Sequence, residues 1–252
     1  MLTRSAAAGL VLVLAVTAPS VQAANKIPES WGTCKRSDPK LDECLKGAMQ
    51  RAMKELEKGN AEFGLLPLDP FKVQQLRLDK GGGGALSMDM TLSDAELVGF
   101  KNAKVESFKA DMNKYKFVAT MRTPNLDLNS LYKVVGRVLL IPINGNGKTT
   151  IKMQKTLIRL TMQGNLKKAK SGKEHLHIDN VNFELIPEKS TFKFVNPAHA
   201  TQADLLSRVV SENDGVIMED LRPAISEAFS QALLQIANRI FSKVPFEDAF
   251  PQ

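Results

Sequence analysis

Two histidines, His175 and His177, stand two positions apart, a spacing that puts both side chains on one face of a strand where a metal could be held. Leu176 and Ile178 alternate with them and belong to the opposite, buried face, so solvent exposure is expected for the histidines, and no third ligand is marked. The segment Gly145-Asn146-Gly147-Lys148-Thr149 ends like a phosphate-binding loop. The first glycine of that motif would fall on Pro142, and the residues after Thr149 read as a strand, without the helix N-terminus that holds an anion. A hairpin turn is the expected role of this Asn-Gly repeat. Gly81 to Gly84 likewise lack the helix that a dinucleotide fingerprint requires and read as a flexible turn. No serine sits in a Gly-x-Ser-x-Gly elbow and no carboxylate pair stands out. Catalysis thus has no visible residues, no cofactor is called for, and an enzyme is the least supported class.

The methionines say more. Six of the ten, Met88, Met90, Met112, Met121, Met153 and Met162, fall where strands are expected and β-branched residues would be usual. Thioether chains adapt their shape, so these residues either fill irregular gaps in a core or line a cavity that conforms to its contents. On periodicity alone, core packing is the expected role. A second cluster, Lys167, Lys168, Lys170 and Lys173, surrounds Gly172 in an expected loop. It reads as a solvated loop or as a docking site for an anionic membrane surface, where each lysine can add about 1 kcal/mol.

The whole chain sets the limits on these readings. Its 252 residues are 43% hydrophobic and 24% charged, values that exclude bulk disorder and a polytopic membrane protein. The net charge of +7 comes from 34 basic and 27 acidic residues that are largely interleaved, which describes a solvated surface. Nucleic acid is not an expected partner, because aromatic platforms for bases are scarce at 6%. Arg4, the apolar run Ala6–Val16, Pro19 and the small-residue site Val21-Gln22-Ala23 read as a signal peptide over residues 1–23, leaving a secreted mature domain over 24–252. In an oxidising compartment Cys34 and Cys44, ten positions apart, are expected to form a disulfide, worth about 2–3 kcal/mol for so short a loop. No Asn-x-Ser/Thr sequon occurs.

The expected elements are a helix, a long sheet and a long helix. Leu41, Cys44, Leu45, Ala48, Met49, Ala52, Met53 and Leu56 share one face of a helix over Asp38–Leu56, with Asp38 as its cap, Pro39 at its first position and Gly59 ending it. After the loop Gly64–Pro70 the period becomes two, from Val73 to Val195. Alternating sets include Leu86, Met88, Met90 and Leu92; Tyr115, Phe117, Ala119 and Met121; Ile158, Leu160 and Met162; Val181, Phe183 and Leu185; and Phe192 and Phe194. Turns are expected at Gly81–Gly84, Asn102, Asn113, Asn144–Gly147, Gly164-Asn165, Ser171-Gly172 and Pro187, too close together for crossover helices, so the sheet is an antiparallel meander. A helix over Gln202–Val210 comes next, then one over Asp220–Val244, about 36 Å long, with Pro223 in its first turn and Pro245 ending it. Its apolar face carries Leu221, Ile225, Phe229, Ala232, Leu233, Ile236, Ile240 and Val244, and a sheet with one dry face curled around it would bury that face.

The Asp42-Glu43-Cys44-Leu45 context, the Pro67-Leu68-Asp69-Pro70 loop, GRVLLIPING over Gly136–Gly145 and NRIFSKVPFEDAFP over Asn238–Pro251 resemble the insect takeout and haemolymph juvenile hormone-binding proteins, across essentially the whole mature chain. The resemblance implies an α+β, TULIP-type fold, in which a highly curved antiparallel sheet wraps a long helix and encloses a lengthwise apolar tunnel. It also implies a circulating carrier of a terpenoid such as juvenile hormone, or of a fatty acyl lipid, in a family associated with circadian output and feeding. The second disulfide of the high-affinity hormone carriers has no cysteines here, which favours the takeout branch. The resemblance also turns the methionines from core filling to lining. The expected ligand-binding residues are Leu86, Met88, Met90, Phe117, Met121, Leu160, Phe183, Phe229, Leu233 and Ile236, with Tyr132, one of two tyrosines, anchoring a polar head. Enclosing roughly 400 Å² of ligand would contribute about 10 kcal/mol before ordering costs. A monomer is expected. The alternative is a secreted protein that docks on a membrane surface or receptor through the lysine loop and holds no stable cargo.

Overall fold

A strand that alternates along its whole length must lay one face on something apolar, and here that is helix. The computed structural model describes residues 26–80, 85–139 and 141–252. The expected signal segment and the Gly81–Gly84 turn lie outside them. Helix α1 (Leu41–Glu55) is followed by β1 (Phe71–Lys80), β2 (Leu86–Val98), β3 (Lys104–Asp111), β4 (Lys116–Val138), β5 (Ile141–Lys168), β6 (Glu174–Ile186) and β7 (Lys189–Val195). Helices α2 (Ala200–Glu212), α3 (Asp214–Phe241) and the single turn α4 (Phe246–Ala249) complete the chain. Cys34 and Cys44 are disulfide-bonded, tying the N-terminal segment to the start of α1.

All strand pairs are antiparallel, and two strands, β4 with 23 residues and β5 with 28, run the length of the sheet. β2 and β3 both pair with β4, and β6 and β7 both pair with β5, so each shorter pair is one long strand interrupted midway. The expected turns at Asn102 and Pro187 therefore interrupt strands without reversing the chain. The interruptions line up. The 3-10 turn Phe100–Asn102 lies opposite Thr123 and Pro124, Thr123 pairs with Thr156, and Pro187 and Glu188 lie opposite Thr156 and Lys155, whose φ is 46°. Irregular backbone in one row lets a twisted sheet fold over. This crease divides the curled sheet into a front half, β1–β2–β4–β5–β7, and a rear half, β3–β4–β5–β6.

Asn144–Gly147 and Gly164-Asn165, expected as turns, lie inside β5. The glycines serve close approach: a Cβ on Gly147 would stand 2.0 Å from the Val195 carbonyl oxygen and 3.2 Å from Tyr132 Cε1, and one on Gly164 would stand 2.2 Å from the His177 carbonyl oxygen. Helix α1 begins at Leu41, not Asp38. Asp38 accepts the Lys40 N–H at 2.8 Å and so caps the turn before the helix. Helix α3 begins six residues earlier than expected and spans 28 residues, about 42 Å, so Pro223 falls in its interior; the helix ends at Phe241, leaving Val244 buried beyond it.

The outer edge of β6 and β7 is closed by side chains from α2 and α3 at helical spacing. Ser207 and Ser211 hydroxyls accept the Phe194 and Phe192 N–H groups, each at 2.9 Å. Ser230 accepts the Phe183 N–H at 2.9 Å, and Asn238 makes a two-way pair with the backbone of Ile178 at 2.9 and 2.8 Å. These bonds replace strand partners on an otherwise open edge and hold both helices inside the curl. Ser230 is 8% exposed. Ser230→Ala leaves a buried N–H unpaired and is expected to lower stability by about 1–3 kcal/mol in urea unfolding.

Candidate ligand-binding site

In the front half of the sheet the inward residues of β2, β4, β5 and β7 face α2 and the first half of α3. Between them lies a narrow apolar cavity. Leu86, Met88, Met90 and Leu92 come from β2, Val134 and Val138 from β4, Ile143, Thr149 and Ile151 from β5, and Phe192 and Phe194 from β7. The helices supply Leu206, Val210, Ile217, Leu221 and Ile225. Fifteen of these sixteen side chains are apolar and none is charged, so the site can hold only an apolar body.

Val134, Ile143 and Leu206 also line a more polar vestibule, which makes them the neck between the cavity and the surface. The vestibule is edged by Tyr132, Asn144, Asn196, His199 and Gln202. Tyr132 is 5% exposed, and its ring packs edge-on against Phe194 with centroids 5.3 Å apart. Burial pushes its phenol above the usual tyrosine range, so it is a neutral hydroxyl at physiological pH.

A second apolar pocket lies at the opposite end. The N-terminal segment, α1 and the end of α3 form it, with Trp31, Cys34, Met49, Phe108, Phe117, Met162, Phe241 and Phe250 among its walls. Between the two pockets stands an aromatic cluster at the crease. The Phe229 ring lies 5.4 Å from that of Phe71 and 5.8 Å from that of Phe183, which in turn lies 6.2 Å from that of Phe100.

The expected lining residues are therefore dispersed. Leu86, Met88 and Met90 line the front cavity, Tyr132 stands in its vestibule, and Phe117 lines the rear pocket. Met121, Leu160, Phe183 and Phe229 are buried, Leu233 and Ile236 are half-buried on α3, and none of these six lines either space. The front cavity and the rear pocket share no lining residue. Thr149, Val210 and Ile217 line the site without belonging to the expected set. The facing of β5 places Thr149 there and the early start of α3 places Ile217, while Val210 comes from the inward face of α2.

His175 and His177 are half-buried, with Leu176 and Ile178 at 1% exposure on the other face. His175 Nδ1 lies 2.9 Å from the Phe241 carbonyl oxygen at the C-terminus of α3, and His177 Nε2 lies 3.8 Å from Asp179. Among the described residues no group of three metal-ligating side chains assembles, and no helix is long and apolar enough to cross a membrane. Of the four clustered lysines, Lys167 and Lys168 end β5 and only Lys170 and Lys173 lie in the expected loop; Lys167 lies 3.9 Å from Asp179 and Lys173 lies 3.6 Å from Asp248, so two of the four charges have acidic neighbours.

A family model described as haemolymph juvenile hormone binding protein matches residues 10–251. Over 246 residues the chain is 24% identical to the circadian clock-controlled protein daywake of Drosophila yakuba, covering 91% of this chain and 90% of that one. Over 226 residues it is 19% identical to a putative beta-carotene-binding protein of Schistocerca gregaria, covering 87% of each. The crystal structure of Takeout 1 from Epiphyas postvittana superposes with a TM-score of 0.76 at 20% identity, covering 87% of this chain and 99% of that one, which shows the same curled-sheet fold.

Proposed function

We propose, since this chain belongs to the haemolymph juvenile hormone binding protein family, that it is a secreted carrier of one elongated apolar small molecule, held in the front cavity with its polar end toward Tyr132. The observation that carries this reading is a cavity walled by fifteen apolar side chains and no charge, joined to the surface by an apolar neck. Affinity comes from burial at roughly 25 cal/mol per Å² of apolar surface, so few polar contacts are needed. Met88 and Met90 let the narrow space follow the shape of a terpenoid or acyl chain. A putative beta-carotene-binding relative and the family's hormone binders agree with an apolar cargo. The disulfide suits an oxidising, extracellular fluid.

Mass spectrometry of an organic extract from natively purified protein tests this reading. One defined lipid at about one molecule per chain is the expected result. Protein that stays empty, and takes up neither terpenoid nor acyl probes, would sink it and favour docking through the lysine loop. That docking would weaken steeply as salt rises, whereas retained cargo would not respond.

A further inference from the structure

We infer that Thr149 hydrogen-bonds one uncharged oxygen of the cargo, which favours a long-chain alcohol, ketone, ether or ester over a pure hydrocarbon or a carboxylate. The inference rests on the carrier reading above. Thr149 lines the front cavity and is 2% exposed, and its Oγ1 is buried without a hydrogen-bond partner. An unpaired buried hydroxyl destabilises the fold, while valine has the same shape and the same strand preference. The backbone pairings of Thr149 with Ser130 and Phe194 would be made equally well by valine. The hydroxyl therefore serves no structural end in the unliganded protein. Rotation about χ1 exchanges the hydroxyl and the methyl, so either can face the cavity contents.

The walls decide which oxygen would pair with it. A lone water needs two to four polar partners, and the other fifteen lining side chains offer none. An oxygen that arrives on an apolar body needs only one. A carboxylate would be stripped of water with no cation lining the cavity to receive it, since His199 stands outside in the vestibule. A hydrocarbon would leave Oγ1 unpaired. Thr149 sits across from Ser130 and one inward position from Gly147, over which the Tyr132 ring lies, so the oxygen would sit at the vestibule end of the cavity.

Competition against bound N-phenylnaphthylamine tests the inference, using dodecane, dodecanol, methyl dodecanoate and dodecanoate on the full chain and its variants. The readout is the ratio of dodecanol to dodecane affinity, compared between proteins so that each competitor's own hydration cancels. Thr149→Val is expected to cut that ratio roughly three- to tenfold with dodecane affinity unchanged, and Thr149→Ser to keep it. Thr156→Val removes another unpartnered buried hydroxyl, one that does not line the cavity, and is expected to leave the ratio alone. An unfolding midpoint for Thr149→Val at or above the wild-type value shows that the loss does not come from misfolding. A ratio unchanged in Thr149→Val, or dodecanoate outcompeting dodecanol at neutral pH, overturns the Thr149 assignment while the carrier reading stands. Failure of the wild-type chain to bind the dye or any competitor overturns both.

Discussion

Phe229→Ala is expected to lower stability by about 3–5 kcal/mol and, in the same molecule, to lengthen the ligand that fits best. Phe229 is fully buried at the crease, where its ring packs on Phe71 and Phe183. Truncation removes most of a side chain from a close-packed setting, and the surrounding rings cannot fully collapse into the gap, because each is held by a separate element: Phe71 by β1, Phe183 by β6 and Phe100 by the turn before β3. The gap opens toward the front cavity, since Ile225, one helical turn before Phe229, lines that cavity. Two measurements check this. Urea unfolding should give the stability loss with an unchanged slope. Competition with alcohols of increasing chain length should show the optimum moving to longer chains. Phe229→Leu should recover much of the stability and little of the added length. If Phe229→Ala is destabilised but keeps the wild-type optimum, the cluster is ordinary core and does not end the cavity.

The same cluster shows where sequence reasoning succeeds and where it stops. That Leu86, Met88 and Met90 share one face follows from their alternation, and the structure buries all three. Alternation cannot say how far along a strand a given residue sits relative to its neighbours, and that register separates Met90, which lines the cavity, from Met121, which is equally apolar and packs as core. Phe183 and Phe229 carry the same pattern signal as lining residues, yet they meet each other because β6 and α3 cross at the crease. The crease comes from interruptions opposite one another in four strands, a coincidence visible only once the strands are paired. Asn144–Gly147 misleads for a related reason. Within a single strand, Asn-Gly repeats favour a turn, but Gly147 is required by the closeness of Val195 and Tyr132, both distant in sequence. The early start of α3 follows from Asp214, which accepts the Ser190 N–H at 2.6 Å and pairs with Lys189 at 2.9 Å, anchoring the helix N-terminus on β7. That tertiary bond outweighs the boundary suggested by Pro223. The disulfide, the inward face of each strand and the two C-terminal helices are legible because each depends on local spacing.

Filling the neck is the second large effect. Val134 is 3% exposed, pairs across the strands with Met90 and Gly145, and lines both the front cavity and the vestibule. Gly145 has no side chain, and the Asn196 amide nitrogen would stand 3.2 Å from a Cβ placed there, so a larger group at 134 is left the neck itself to occupy. Val134→Trp should project the indole into that neck, lowering affinity for dodecanol by more than about 30-fold while overpacking costs about 1–3 kcal/mol. A loss of affinity in protein that urea unfolding shows to be fully folded under the assay conditions separates a blocked passage from a damaged fold. The reverse substitution provides the kinetic counterpart. Val134→Ala widens the passage, so entry and exit should both accelerate, by similar factors, and the equilibrium affinity should change much less than either rate. A wall residue deeper in the cavity, such as Leu221, touches cargo only after entry, so Leu221→Ala should act mainly through faster release. Stopped-flow measurement of dye uptake and displacement distinguishes the two patterns. If Val134→Trp binds as tightly and as fast as the wild-type chain, cargo does not pass between Val134, Ile143 and Leu206, and the vestibule beside Tyr132 is not the entrance.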